Sequence, residues 1–397
     1  MAVPTKSTTG AAAAIQREQP SKGGPRVGVI MSTEVGLKAQ YLNWRRYLTP
    51  ELGIEPVWVV IDWWKSDGRL ERLPVLPSSI KARIRAQLEL REGLKKGPFD
   101  ALILASAVAL PGGNQLLDRQ PYAILTDVTP TQLFSFGDLY GKHRTGLKAI
   151  DRKKHALWSE RYRNAAALFP WTQWTANSMI EDYGADPSRV HVIPPGVDLE
   201  RWQFETRSPD DGKVNILFVG GDFYRKGGDQ LLNWAANTPA RNWTLHLVTH
   251  DPVAASNDCV RVYNDMTPGD PKLIELYRQA HLFVLPSRGD CSPVSAMEAL
   301  AAGLPVILTQ TGATAEVVRD GDTGFLIPIG DEQALADRLE KLIANPELRF
   351  EMGQAARADA ENRYDAARNI KMVISILRAA IGDSQFDASH AVVRNSG

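Results

Sequence analysis

Cysteine is almost absent from this chain of 397 residues. Only Cys259 and Cys291 occur, with no Cys-x-x-Cys pair. That excludes a disulfide framework and points to a reducing, cytoplasmic compartment. Long apolar runs are missing too: the longest mostly apolar stretch, 101–110, is far too short to cross a bilayer. Formal net charge is zero, with 46 Lys and Arg balancing 46 Asp and Glu. Neither a Gly-x-Ser-x-Gly elbow nor a P-loop ending in Gly-Lys-Ser/Thr is present, and no Gly-x-Gly-x-x-Gly fingerprint follows a strand. Serine hydrolases, P-loop NTPases and ordinary dinucleotide enzymes are therefore poor readings, and no nucleic-acid partner is expected.

What is present is a long alternation of short apolar runs and helical patterns. The first 25 residues lack the apolar core of a signal peptide and are expected to form a disordered leader. Strands are expected at 27–31, 57–61, 101–105 and 122–125, with helices to Tyr47, over 78–95, and over about 144–168. A Pro-Pro-Gly element at 194–196 and a polar stretch to Gly212 punctuate the chain. The pattern then restarts with strands at 214–219, 244–248, 260–263, 282–285, 306–308 and 325–327. The domains read as 26–195 and 214–365, joined by a linker over 196–213. A helix over 366–381 is expected to cross back to the first domain, before a loose tail over 382–397. Strands alternating with helices give α/β, doubly wound parallel sheets. Two such units leave a cleft at the carboxyl ends of their strands.

Charge divides unevenly between the halves. Residues 1–195 hold 26 Lys and Arg against 18 Asp and Glu, and the remainder holds 20 against 28. The basic excess is densest between His143 and Arg163, interleaved with Leu147, Ile150, Leu157, Trp158 and Tyr162. Such a helix suits an anionic membrane surface or a lipid-linked acceptor, and a plainly solvated helix face is the alternative.

Two segments carry chemistry. In the first, a strand ending at Leu285 leads through Asp290, Cys291, Ser292, Pro293, Val294 and Ser295 into a short helix bearing Glu298 and closed by Gly303. Ser292 reads as the N-cap and Pro293 as the first helical residue. The free N–H groups of that helix end would attract phosphate or sugar oxygens. The two carboxylates, Asp290 and Glu298, would accept from hydroxyls. An ordinary capped core helix with a surface glutamate is the alternative. In the second, Gly220, Gly221, Arg225, Lys226 and Gly227 lie between a strand and a helix. Glycines there admit close approach of a ligand, and the cations suit a diphosphate. A solvated basic turn is the alternative.

In order along the chain, these segments resemble glycosyltransferase family 4. The family's Glu-x7-Glu element is matched by Asp290 and Glu298. Its Ala-x-Gly-x-Pro-Val pattern is matched by Ala301 to Val306, its Lys-Gly loop by Lys226 and Gly227, its Pro-x-Gly-Val-Asp junction by Pro194 to Asp198, and its Asp-Gly-x-Thr-Gly loop by Asp320 to Gly324. The resemblance covers 178–378 well and the first 175 residues in outline. It implies a GT-B fold, two Rossmann-like domains facing a central cleft. It also implies transfer of a hexose-type sugar from a UDP- or GDP-linked donor to a hydroxyl acceptor with retention of configuration and without a metal or other cofactor. Acceptors of such enzymes are commonly cell-surface polysaccharides or glycolipids. Carried over, Lys226 would bind the diphosphate and Asp290 a sugar hydroxyl. Cys291 to Ser295 would offer backbone N–H groups to the sugar, and Glu298 would hold the ribose. Gly36, in the first βα loop, would let backbone approach the diphosphate.

Three departures stand out. Asp290 is one methylene shorter than the family's glutamate. Gly221 stands where the family has arginine, for which Arg225 is the candidate replacement. Asp127, rather than histidine, ends the fourth strand, where it would face donor and acceptor or else simply make an Asx turn. No protein nucleophile is legible, which suits attack on the same face as the departing diphosphate. A binding-only subunit or sensor of the same fold, and a GT-B epimerase or phosphorylase, remain as rivals.

Overall fold

The computed structural model describes residues 24–382, apart from 34–36, 64, 66–67, 69, 73–75, 106–119, 142–143, 203–211 and 240–241. Gly36, half of the linker, and nearly all of the expected leader and tail lie outside the described residues.

The N-terminal sheet is built from β1 (Arg26–Ser32), β2 (Glu55–Ile61), β3 (Ala101–Ala105), β4 (Tyr122–Thr126) and β5 (Ala167–Pro170). They run in the order β2-β1-β3-β4-β5, every pair parallel. Strands β3 and β4 are buried at every position. Sequences such as Ala-Leu-Ile-Leu-Ala read as unbroken apolar runs because helices cover both faces of the sheet.

The strand β5 corrects the sequence reading, which ran a helix over 144–168. The helix is Lys148–Asn164, and the next residues leave it to pair with β4, Phe169 opposite Leu125. The run of three alanines favours helix locally. Leu168 and Phe169 are wholly buried in the sheet, and that tertiary burial outweighs a few tenths of a kcal/mol of propensity.

The C-terminal sheet comprises β6 (Val214–Val219), β7 (Trp243–Val248), β8 (Val260–Tyr263), β9 (Leu282–Leu285), β10 (Val306–Thr309) and β11 (Gly324–Ile327), in the order β11-β10-β9-β6-β7-β8. Chain order reverses between β6 and β9. In open α/β sheets, ligands sit in the crevice at that reversal, beyond the carboxyl ends of the strands. The loops leaving β6 and β9 are the two chemistry-bearing segments of the sequence. In the N-terminal sheet the reversal falls between β1 and β3, beside the loop that contains Gly36.

One core fills the C-terminal domain, and two clusters cover the faces of the N-terminal sheet. The final helix, Ala366–Ala380, contributes Ile370, Val373, Ile374 and Leu377 to the N-terminal core beside Val29, Met31 and Trp44. Burying each such side chain is worth about 2 kcal/mol, so this helix is anchored on the N-terminal domain. The junction is tight. The carbonyl of Gly196 accepts from the side-chain amides of Gln40 at 3.0 Å and Asn43 at 2.7 Å. Asp198, 4% exposed, accepts from Arg46 at 2.6 Å and Tyr47 at 2.7 Å. A Cβ on Gly196 would stand 2.2 Å from the Ala366 Cα. Gly196→Ala is therefore expected to lower stability by about 1–3 kcal/mol by overpacking, read as a fall in the urea midpoint at unchanged slope.

Candidate functional site between the two domains

The cleft between the sheets is a cavity of about 640 Å³. The N-terminal domain supplies Leu37, Ala39, Asp127, Tyr140 and Trp171 to its wall, and the C-terminal domain supplies both loops at the β6–β9 reversal. Leu37 and Ala39 stand where the chain emerges from the Gly36 loop.

The loop after β6 has to turn back sharply before the helix Gly228–Asn237. Gly227 makes that turn with φ +79°, and a Cβ there would lie 2.1 Å from the Pro286 carbonyl oxygen. Only glycine meets both demands. The turn delivers Lys226 to the loop after β9, where its ammonium pairs with the Asp290 carboxylate. Asp290 also accepts from the Ser287 hydroxyl at 3.3 Å, and only 5% of its side chain is exposed. A carboxylate buried this deeply needs such a partner.

Arg225 takes a different course from its neighbour. Its guanidinium donates to the Gly289 carbonyl at 3.0 Å and to Asp222 at 3.0 Å. It also donates to the Tyr140 hydroxyl at 3.1 Å and lies 4.4 Å from the centre of that ring. Arg225 thus lines the cleft and bridges the two domains at once.

After β9 the helix is Val294–Ala301, with Pro293 as N-cap and no side-chain cap. This corrects the expectation that Ser292 caps it with Pro293 as its first residue. Ser292 stands on the cleft wall, and its hydroxyl is buried with no hydrogen-bond partner. A buried orphan hydroxyl costs about 1–3 kcal/mol. Val294 and Ser295 open onto the cleft with Pro293. Cys291 does not line it: its thiol packs 3.7 Å from the Tyr140 hydroxyl, and burial raises its pKa. Gly303, φ +68°, closes the helix.

Glu298 faces the same cavity from the helix's second turn and accepts from the Tyr277 hydroxyl at 3.2 Å. Burial pushes its pKa up to about 7. Asp127, half-buried at the end of β4, is pushed up to about 6, first by burial, with the nearby Asp290 charge adding to the shift and Lys226 opposing it. Both carboxylates of raised pKa thus face one cleft. Asp320, in the Asp-Gly-x-Thr-Gly loop, accepts from the Leu326 N–H at 2.9 Å, and Asp322 pairs with Arg319 at 2.8 Å. That loop is a turn into β11.

Some lining residues were not picked out from sequence. Thr249, His250 and Pro268 join Met266 and Thr267 on the far wall. His246 and His250 are four apart, the spacing of a metal pair on a helix. Here His246 is on β7, where it bonds Tyr263 at 3.0 Å, and His250 lies beyond the end of that strand. Tyr140 was also missed. Its only signal is two flanking glycines, Gly137 and Gly141, both with positive φ.

Two facing Rossmann-like domains with this site between them define the GT-B class. The family description "Glycosyltransferase Family 4" matches residues 45–201, and "Glycosyl transferases group 1" matches 200–359. The chain belongs to glycosyltransferase family 4. It is 28% identical over 256 residues to a D-inositol 3-phosphate glycosyltransferase of Acidothermus cellulolyticus, covering 57% of this chain and 56% of that protein. It is 31% identical over 211 residues to the Rhodococcus erythropolis protein of the same name, covering 47% and 48%. The chain thus spans about half the length of the curated relatives it matches. Among solved structures, sucrose-phosphate synthase from Thermosynechococcus elongatus superposes with a TM-score of 0.71 at 16% identity, over 90% of this chain and all of that one. HepE from Anabaena, in complex with UDP-glucose, gives 0.63 at 16% identity over 89% of this chain and all of that one.

The ion pair at the cleft floor makes a stability prediction. Lys226→Met strands the Asp290 carboxylate and should cost about 2 kcal/mol, less than a fully buried pair because the lysine keeps 14% exposure. Adding Asp290→Asn removes the stranded charge and should recover more than half of that loss in chemical denaturation. Additive losses would show that the pair is not coupled.

Proposed function

We propose that this protein is a retaining glycosyltransferase that binds a nucleotide diphosphate-sugar in the interdomain cleft and passes the sugar to a hydroxyl acceptor. The observation that carries this reading is the convergence, at the β6–β9 reversal, of Lys226, Asp290, the orphan Ser292 hydroxyl, the helix end at Val294 and Glu298.

Each group has a place in that chemistry. Glu298 accepts from the ribose hydroxyls. The first N–H groups of the helix Val294–Ala301 and the Ser292 hydroxyl face the diphosphate and the sugar. Lys226 and Arg225 neutralise charge as the diphosphate departs, and the diphosphate role expected for Gly36 falls outside the described residues. Asp290 holds Lys226 in place and accepts from a sugar hydroxyl. Asp127, across the cleft, faces the reacting centre and orients the acceptor. The acceptor oxygen bonds to the anomeric carbon as the bond from that carbon to the diphosphate breaks. The acceptor's proton goes to a leaving phosphate oxygen on the same face, so no protein nucleophile and no metal is required. A UDP-linked hexose is the first donor to test, because HepE, of like fold, holds UDP-glucose. A phosphorylated cyclitol is the first acceptor, because the curated relatives are named for one. The cleft keeps its cation and both family carboxylate positions, so no observation favours the binding-only rival.

The helix Lys148–Asn164 supports peripheral membrane contact. Its first half stands clear of the sheet, with Lys148, Arg152, Lys153 and Lys154 exposed beside Leu147 and Ile150. No helix among the described residues is long and apolar enough to cross a membrane. The protein should sediment with phosphatidylglycerol vesicles and not with phosphatidylcholine. Reversing Lys153 and Lys154 to glutamate should cut that partitioning at least about thirtyfold.

The activity is tested with a panel of UDP-, GDP- and ADP-sugars, reading nucleotide release. One donor should be turned over, with kcat/KM lowered at least about a hundredfold in Lys226→Ala and in Glu298→Ala. A panel with no release, with and without acceptors, would sink the reading.

A further inference from the structure

The short helix Thr314–Val317 of the C-terminal domain sends one carboxylate across the domain boundary. Glu316 Oε2 accepts from the Gln173 backbone N–H at 2.7 Å, and Oε1 accepts from that of Trp174 at 2.7 Å. These are the first two residues of the helix Gln173–Glu181 in the N-terminal domain. The third N–H, from Thr175, goes to the Thr172 hydroxyl at 3.2 Å. The free donors of this helix end are thus shared between a cap from its own chain segment and a carboxylate from the other domain. Negative charge is what a helix amino end favours.

The helix so capped carries the loop that holds Asp127. The Thr175 hydroxyl donates to the Asp127 carbonyl at 2.6 Å, and the Trp171 N–H donates to the Thr126 carbonyl at 3.0 Å. The Gln132 side-chain amide donates to the Trp174 carbonyl at 2.8 Å, and the Thr129 and Ser178 hydroxyls bond at 2.7 Å. On the other side, the segment bearing Glu316 is fastened to the Asp290 loop. The Ala313 N–H donates to the Cys291 carbonyl at 3.1 Å. Gly312, φ +54°, packs so closely that a Cβ would lie 2.0 Å from the Asp290 carbonyl oxygen. Arg363 holds the carbonyls of Glu316 at 2.5 Å and Val317 at 3.0 Å from behind. The contacts therefore run from the backbone of Asp290 to the backbone of Asp127 and cross the boundary at Glu316. The Glu316 side chain lines a separate cavity of about 620 Å³ between the domains, not the donor cleft.

We infer that Glu316 is a positioning residue, whose carboxylate clasps the two domains so that Asp127 stands opposite Asp290 across the cleft. Its effect on rate rests on the transferase reading above, whereas the clasp itself does not.

Spin labels at Lys154→Cys and Glu340→Cys, both exposed and on opposite domains, read the interdomain distance while native Cys259 and Cys291 stay buried. Glu316→Ala should broaden and lengthen the distance distribution. Glu316→Gln, which keeps one acceptor oxygen, should fall between it and the wild type. With the donor found by the panel, Glu316→Ala should lower kcat by about tenfold to a hundredfold, as misplacement by about 1 Å does, while donor KM changes less than about threefold. Glu316→Gln should recover part of the loss, and a circular dichroism spectrum matching wild type keeps misfolding apart from misplacement. An unaltered distance distribution in Glu316→Ala overturns the clasp, whether or not any donor is turned over. An altered distribution with unchanged kcat overturns the positioning role and leaves the transferase reading standing.

Discussion

Both sheets are parallel throughout, and the rest of the molecule follows from that constraint. A parallel strand returns its chain through a helix, so all strand carboxyl ends lie on one edge of each sheet, and the amino end of each crossover helix lies there with them. Two such edges face each other here. The cleft consequently receives loops, glycines and helix amino ends, and it is electrostatically prepared for anions before any particular side chain is considered. The order reversal at β6 and β9 separates two of these loops enough to admit a ligand, and Lys226 and Asp290 meet at that place.

Within the cleft, groups are held in states that a stable core would avoid. Ser292 keeps an unbonded hydroxyl, and Asp127 and Glu298 are carboxyls whose burial raises their pKa to about 6 and about 7. Asp290 is paired with Lys226 and accepts from the Ser287 hydroxyl. Each arrangement costs free energy in the empty protein, and a wholly buried C-terminal core supports them. Site groups fixed in advance need little rearrangement when charge moves, which is the physical content of preorganisation.

The elements that were legible from sequence are those whose signals are local. The pattern of apolar runs placed ten of the described strands, and the two loops at β6 and β9 announced themselves through glycine, lysine and proline. The failures share a cause. The strand Ala167–Pro170 reads as helix because its alanines prefer one, and only pairing with β4 reveals it. Ser292 has the composition of an N-cap, yet it stands on the cleft wall with its hydroxyl unpartnered. Tyr140 and Glu316 act on residues far away in sequence, through contacts with Arg225 and with the helix at Gln173. No periodicity or spacing in a single chain encodes such partners.

The two domains are joined by contacts of two physical kinds, and their placement matters for motion. At the hinge, Gly196 is packed on Ala366, and the helix Ala366–Ala380 is buried in the N-terminal core. Those contacts are apolar and close, so sliding them would open voids. Elsewhere the crossings are polar: Arg225 to Tyr140 at the cleft, and Glu316 to two backbone N–H groups beside the separate cavity. Hydrogen bonds of this sort exchange with water at a net cost of about 1 kcal/mol each. The packed contacts resist sliding, whereas each hydrogen-bonded crossing is broken at low net cost, so relative displacement of the domains is resisted most where Gly196 meets Ala366.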